Sequence, residues 1–308
     1  LVLALVAGLA SAALMWLAGE RLFAVFGIEQ SLVGPSAPVM KILALSVPLH
    51  LLYVAGTFFL EAIKKPGIST AVMWAANAVN LGLNLLWVPE HGAIGSAWAT
   101  LGARVFLAGA VLLWIFLLRD GAAYGVRKSG GAGPSFRALL AVGVAAALSQ
   151  AVEAGAFSAM TVVAGRLGAE VVAGYQILLN FMALVFMVAL GFSTATAVLV
   201  SEAVGRKAPR DSARAGWTGL SLNTIAMAIA AALALTFSAW IGRFYTADLS
   251  LAALIASLMW ITAIIMAPDG AQVVTSAALR ARGDNWFPTY SHILAYAGVM
   301  PVLGYWLA

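Results

Sequence analysis

The chain has 308 residues, of which 63% are hydrophobic and 9% charged, with a formal net charge of +5 and no cysteine. Soluble globular domains are nearer half apolar and a quarter charged, so this composition excludes a water-soluble globule and defines an integral membrane protein. The seventeen basic residues lie between apolar runs and form no basic face with interleaved aromatics, which speaks against nucleic-acid binding, and the lack of cysteine excludes disulfides and thiolate metal sites.

The apolar stretches are long and uniform rather than ten-residue alternations, which predicts an all-α membrane protein and not a β-barrel. Nine spans are expected, at residues 1–26, 39–60, 70–88, 94–118, 139–165, 171–200, 217–241, 251–279 and 290–308. Most hold the ~20 apolar residues that a crossing requires. Leu1 and Ala308 both fall inside apolar runs, so a piece of a longer protein is expected.

Lysine and arginine alternate from loop to loop. The loops after the second, fourth, sixth and eighth spans carry twelve, among them Lys64, Lys65, Arg119, Arg206, Arg214 and Arg280, whereas the other loops carry four. This bias places the even-numbered loops in the cytoplasm. The longest loop contains KSGGAGP at 128–134, a flexible linker composition. The expected organisation is therefore a partial N-terminal bundle at 1–118, a cytoplasmic linker at 119–137 and a partial C-terminal bundle at 138–308. A shift of 219 residues lays 29–62 over 248–281 with nine of 34 positions identical, Leu32 on Leu251 and Met40 on Met259 among them. Six spans separate the copies, an even number, so this is a parallel repeat. Completing it requires twelve spans, of which about nine are present.

The fifth span holds an acid at its middle. Glu153 lies ~20 Å along the helix from either charged end, near the centre of a ~30 Å hydrocarbon layer. An ionised carboxylate there costs at least ~2.5–3.5 kcal/mol, so such a residue normally faces a polar cavity and has a function. Asp269 repeats the arrangement in the eighth span, beside Pro268 and Gly270, where a kink would free backbone carbonyls. Both read as cation or proton sites; the alternatives are a carboxylate satisfied by a neighbouring hydroxyl or amide for Glu153 and a helix-end acid beside a proline turn for Asp269. Gln150 lies one turn before Glu153. Asn77, Asn80 and Asn84 share one face of the third span, and Gln176 and Asn180 one face of the sixth, either as interhelical glue or as cavity lining. His50 occupies the repeat position of Asp269, while His91 and His292 read as interfacial. Tyr245, Trp286 and Tyr290 read as interface anchors. Motifs of zinc proteases, nucleotide-binding loops and serine hydrolases are missing, so an enzyme is not expected.

Three motifs carry a family resemblance: AGYQILLN at 173–180, GFSTATAVLVSEAVGRKAPRDSAR at 191–214, and ALRARGD at 278–284 followed by Pro288 and Pro301. With the asparagine-rich third span, the chain resembles the multidrug and toxic compound extrusion (MATE) transporters over its whole length, in their NorM-like branch. The resemblance implies two six-helix bundles around a cleft and a monomer in the cytoplasmic membrane of a bacterium. It also implies export of small organic cations driven by entry of Na⁺ or H⁺, without another cofactor. The family's seventh- and tenth-span acids fall on Glu153 and Asp269, where a Na⁺ would be held; Gln150, Gln176, Asn180, Asn77, Asn80, Asn84 and His50 would line the cleft. The chain departs from the family where a proline is replaced by Ala145 and an aromatic by Ile265. The other reading is a flippase for lipid-linked oligosaccharides in the same superfamily, but the chain offers only Arg104 and His50 to grip a pyrophosphate.

Overall fold

A computed structural model describes residues 1–25, 30–122, 124, 126 and 135–307. Among them every regular element is a helix. Hydrocarbon offers no hydrogen bonds, so a spanning backbone must satisfy itself within each segment. Seven helices are long and apolar enough to cross a membrane. The chain divides into two compact units, Leu1–Ala132 and Gly133–Ala308. The linker motif at 128–134 lies outside the described residues.

The first unit contains α1 (Val2–Val25), α2 (Gln30–Ala62) and α3 (Pro66–Leu117). At 52 residues, α3 would be ~78 Å long if straight, more than twice the hydrocarbon thickness. It is broken at Gly92, whose φ of 54° and ψ of −130° suit only a residue without a Cβ. A Cβ added to Gly102 would lie 2.8 Å from Leu83 Cδ1. In a straight helix those two positions would be ~28 Å apart, so the halves fold back on each other and form the two expected spans.

In lipid no hydrophobic drive separates helix from solvent, and small residues let backbones approach. Helix α2 packs on both α1 and α3 in this way. A Cβ at Gly8 would come within 2.5 Å of Pro48, and one at Gly56 within 2.5 Å of Val111. Tyr53, Leu60, Val72, Val111 and Ile115 form the core beside that second crossing. Large apolar side chains such as Trp74, Leu85 and Leu86 point outward, as a bilayer requires.

The second unit contains α4 (Phe136–Leu167), α5 (Ala169–Gly205), α6 (Pro209–Thr236), α7 (Ser238–Tyr245), α8 (Leu249–Ala281), α9 (Trp286–His292) and α10 (Met300–Leu307). Helix α8 is the hub, packed on α5, α6 and α7 around Ile255, Met259 and Met266. It runs unbroken through Pro268. The seventh expected span begins eight residues early, because Pro209 pre-sets the first helical turn of α6, and it breaks at Phe237. The ninth is a composite: α9 and α10 are joined through a π-helical stretch, Ile293–Val299, with helical backbone at both junctions. Such wide turns are rare and concentrate at functional sites.

Asp248 caps α8, accepting hydrogen bonds from the Ser250 and Leu251 amides at 2.8 and 3.3 Å and from the Ser250 hydroxyl at 2.7 Å. These donors hold its carboxyl below its ordinary pKa, the Ser250 hydroxyl foremost. A depressed pKa contributes stability that is present above the unfolded value and lost as pH falls through the folded one. Asp248→Ala is therefore expected to lower the melting temperature at neutral pH. The difference from the native protein should vanish in acid scans below the carboxylate range.

Candidate functional site

Glu153 on α4 and Asp269 on α8 belong to one compact unit. Among the described residues neither forms an ion pair with a lysine or arginine. The ion-pairing contact of Glu153 is with a histidine: His292 Nδ1 lies 3.9 Å from Glu153 Oε2, a salt bridge only while the imidazole is protonated. His292 is buried, with both ring nitrogens lacking a hydrogen-bond partner, and so is not the interfacial residue its sequence position suggested. The π-helical stretch places Tyr296 against the same carboxyl. The Tyr296 hydroxyl donates to Gln272 Oε1 at 3.2 Å and lies near the Glu153 carboxyl. Phe157 and His292 pack on its ring at 5.9 and 5.7 Å.

A phenol has one proton and can accept another hydrogen bond. When Glu153 is charged, Tyr296 can donate to it while the Gln272 amide donates to the phenol oxygen. When Glu153 is protonated, it donates to Tyr296, which in turn donates to Gln272. One set of side chains can thus serve both protonation states of Glu153 once the phenol closes on the carboxyl. Tyr296→Phe removes this tolerance. It is expected to weaken coupling-ion affinity about ten-fold, the cost of a hydrogen bond to a charged group. Drug affinity should be unchanged when both are measured by equilibrium binding.

A second chain of hydrogen bonds anchors α4 below the acid. Arg280 Nη2 donates to Ser149 Oγ at 2.9 Å. Ser149 Oγ lies 3.4 Å from Thr289 Oγ1, which donates to the Ala145 carbonyl at 2.9 Å. Ala145, where the family's proline would stand, is thus a point at which α9 grips α4. On the far side of Asp269, Gly270 admits Asn223 of α6. Asn223 is fully buried with neither amide atom hydrogen-bonded, and a Cβ on Gly270 would lie 2.7 Å from its Nδ2.

The remaining candidates are placed elsewhere. Gln150 is exposed. Gln176 donates to Thr161 Oγ1 at 3.1 Å and ties α5 to α4, while Asn180 accepts from Tyr245 at 2.9 Å and ties α5 to α7. In the first unit, Asn84 donates along its own helix to Asn80, at 2.8 Å to the carbonyl and 3.1 Å to the side chain, and Asn77 is exposed. His50 is exposed beside Tyr53, one turn from Ser46, which receives Arg104 Nη1 at 2.6 Å. Sequence reasoning missed Tyr296, His292, Gln272 and Asn223. A signal existed for two of them: Thr289, His292 and Tyr296 recur at i, i+3 and i+7 and form a polar stripe.

These features define a polytopic helical protein with two acids at mid-span positions of separate helices within one compact unit. Residues 145–306 match the MatE family model. The chain is 36% identical over 308 residues to a probable multidrug resistance protein NorM of Caulobacter vibrioides, covering 98% of this chain and 65% of that protein. It is 28% identical over 312 residues to the multidrug resistance protein PmpM of Pseudomonas aeruginosa, with the same coverage of 98% and 65%. Among solved structures, an outward-facing multidrug resistance MATE family transporter of the MOP superfamily superposes with a TM-score of 0.89 at 19% identity, covering 99% of this chain and 69% of that one. The chain belongs to the MatE family, and proteins named NorM are among its relatives. It spans 65% of the length of the two curated relatives named.

Proposed function

We propose that this chain is the larger part of a secondary exporter that moves small organic cations out across the bacterial cytoplasmic membrane. Entry of Na⁺ or H⁺ drives it, with Glu153 and Asp269 as the coupling carboxylates. The observation that carries the reading is the Glu153 environment: an acid at the middle of an apolar span, with His292 3.9 Å away, the Tyr296–Gln272 hydrogen bond beside it and a second mid-span acid, Asp269, in the same unit. An incoming cation neutralises this pair of acids, and departure of a cationic drug is coupled to that neutralisation because both cannot be held at once. The names of the relatives, multidrug resistance proteins, support the drug-export part. A flippase would need several cationic side chains to grip a pyrophosphate, and the candidate cleft residues offer only Arg104 and His50 beside two acids, which disfavours that reading. The exporter acts as a monomer, with the bilayer as its only obligate partner.

The test uses the full-length protein in everted vesicles loaded with an ethidium-like dye. A Na⁺ gradient and a pH gradient are applied separately. Dye movement under one of them supports the reading, and movement under neither removes it.

A further inference from the structure

A second feature of the same unit has no part in ion coupling. Between α5 and α6 runs a groove of about 440 Å³, walled by Phe192, Leu199 and Leu222 and ending at Glu202, Arg206, Asp211 and Arg214. Its floor is closed where Gly219 admits the Thr196 side chain, since a Cβ there would lie 2.0 Å from Thr196 Oγ1. From Arg206 to Phe192 the groove follows α5 for fourteen residues, or ~21 Å, and from Asp211 to Leu222 it follows α6 for eleven, or ~16 Å. One leaflet contributes ~15 Å of hydrocarbon, so the groove runs from headgroup level to about the bilayer midplane.

The charges at its mouth are unevenly spent. Arg206 lies 3.5 Å from Glu202 and 3.9 Å from Asp211 and holds both acids. Arg214 has no ion pair among the described residues, nor do Lys207 and Arg210 in the same turn. Glu202, Arg206, Asp211 and Arg214 at the mouth sum to zero, and Lys207 and Arg210 beside it bring residues 202–214 to +2, an excess of positive charge above an apolar channel on the side that the Lys and Arg bias assigns to the cytoplasm. A basic pocket between membrane helices on that side matches an anionic lipid headgroup.

We infer that this groove binds one anionic phospholipid, its phosphate on Arg214 and one acyl chain lying along Leu199 toward Leu222. The chain has no cysteine, so Leu199→Cys, at a position 52% exposed, gives a labelling site that is unique within it. The full-length protein with a bimane at that cysteine is placed in phosphatidylcholine vesicles containing a minor fraction of lipid with a nitroxide at mid-chain.

Nitroxide phosphatidylglycerol is expected to quench the bimane with about five-fold higher apparent affinity than nitroxide phosphatidylcholine. Arg214→Gln should erase that preference. Ala195→Phe, which fills the groove and leaves every charge in place, should reduce quenching by both lipids to one common level. Equal quenching by the two lipids without these substitutions would reduce the groove to ordinary lipid-facing surface and overturn the proposal. Absence of quenching by either would mean that protein covers the groove. Preference for phosphatidylethanolamine over phosphatidylglycerol would mean that Glu202 and Asp211 choose the headgroup, and it too would overturn the proposal.

Discussion

Glu153→Gln is expected to abolish gradient-driven export of cationic dyes, reducing it to the level of vesicles without the protein, while leaving thermal stability unchanged or raised. Glutamine has the shape of glutamate and can still hydrogen-bond Tyr296, so the substitution removes little but the charge and its proton. A carboxylate at mid-bilayer costs about 2.5–3.5 kcal/mol, and losing it relieves that cost. A residue kept for structure would behave in the opposite way, because deleting one partner of a buried polar contact usually destabilises. The pair of measurements therefore separates the roles: dye efflux in everted vesicles and melting in detergent. Asp269→Asn should give the same result. Full export by both variants would remove the carboxylates from the mechanism, and a fall in melting temperature with lost export would make them structural.

Gly270→Ala is expected to be the most damaging single-methyl change near the site. The new Cβ would lie 2.7 Å from Asn223 Nδ2 and 2.8 Å from Met227 Cγ. Both neighbours are buried in α6, and neither is a surface side chain free to swing aside. Overpacking of this kind costs about 1–3 kcal/mol, and relief requires α6 and α8 to part next to Asp269. Export should fall although both acids remain. Asn223→Ala in the same chain removes the nearer clash and an amide that has no hydrogen-bond partner, so the double variant should recover part of the lost melting temperature. A double-mutant cycle measures that recovery. Strict additivity would show that the two residues do not press on one another.

The mid-span positions of the two acids were legible because the length of the apolar runs and the spacing of charge locate them. Of the nine spans expected from apolar runs, eight fall on the seven described helices of membrane-spanning length, because residues 70–118 lie in α3, which Gly92 breaks in two; the ninth is a composite of short helices. The surroundings of Glu153 were not legible. Tyr296 reaches the acid from a helix with a π-helical stretch, and ordinary helical periodicity does not place residues beyond such a turn. His292 sits near a span end, where aromatic and polar residues usually meet headgroups, but α9 packs on α4 and buries it. Asn180 and Tyr245 looked unrelated at 65 residues apart, yet they share a hydrogen bond that only tertiary packing creates. Asn223 drew no attention in sequence because its meaning depends on a glycine in another helix.

The reversal at Gly92 has an electrical consequence. Because α3 leaves and returns, Lys64 and Lys65 before it and Arg119 after it lie on one face of the membrane. Inverting this hairpin would carry three positive charges across the transmembrane voltage, at roughly 7 kcal/mol for 100 mV. A single glycine thus lets the resting voltage of the cell fix which way the hairpin is threaded.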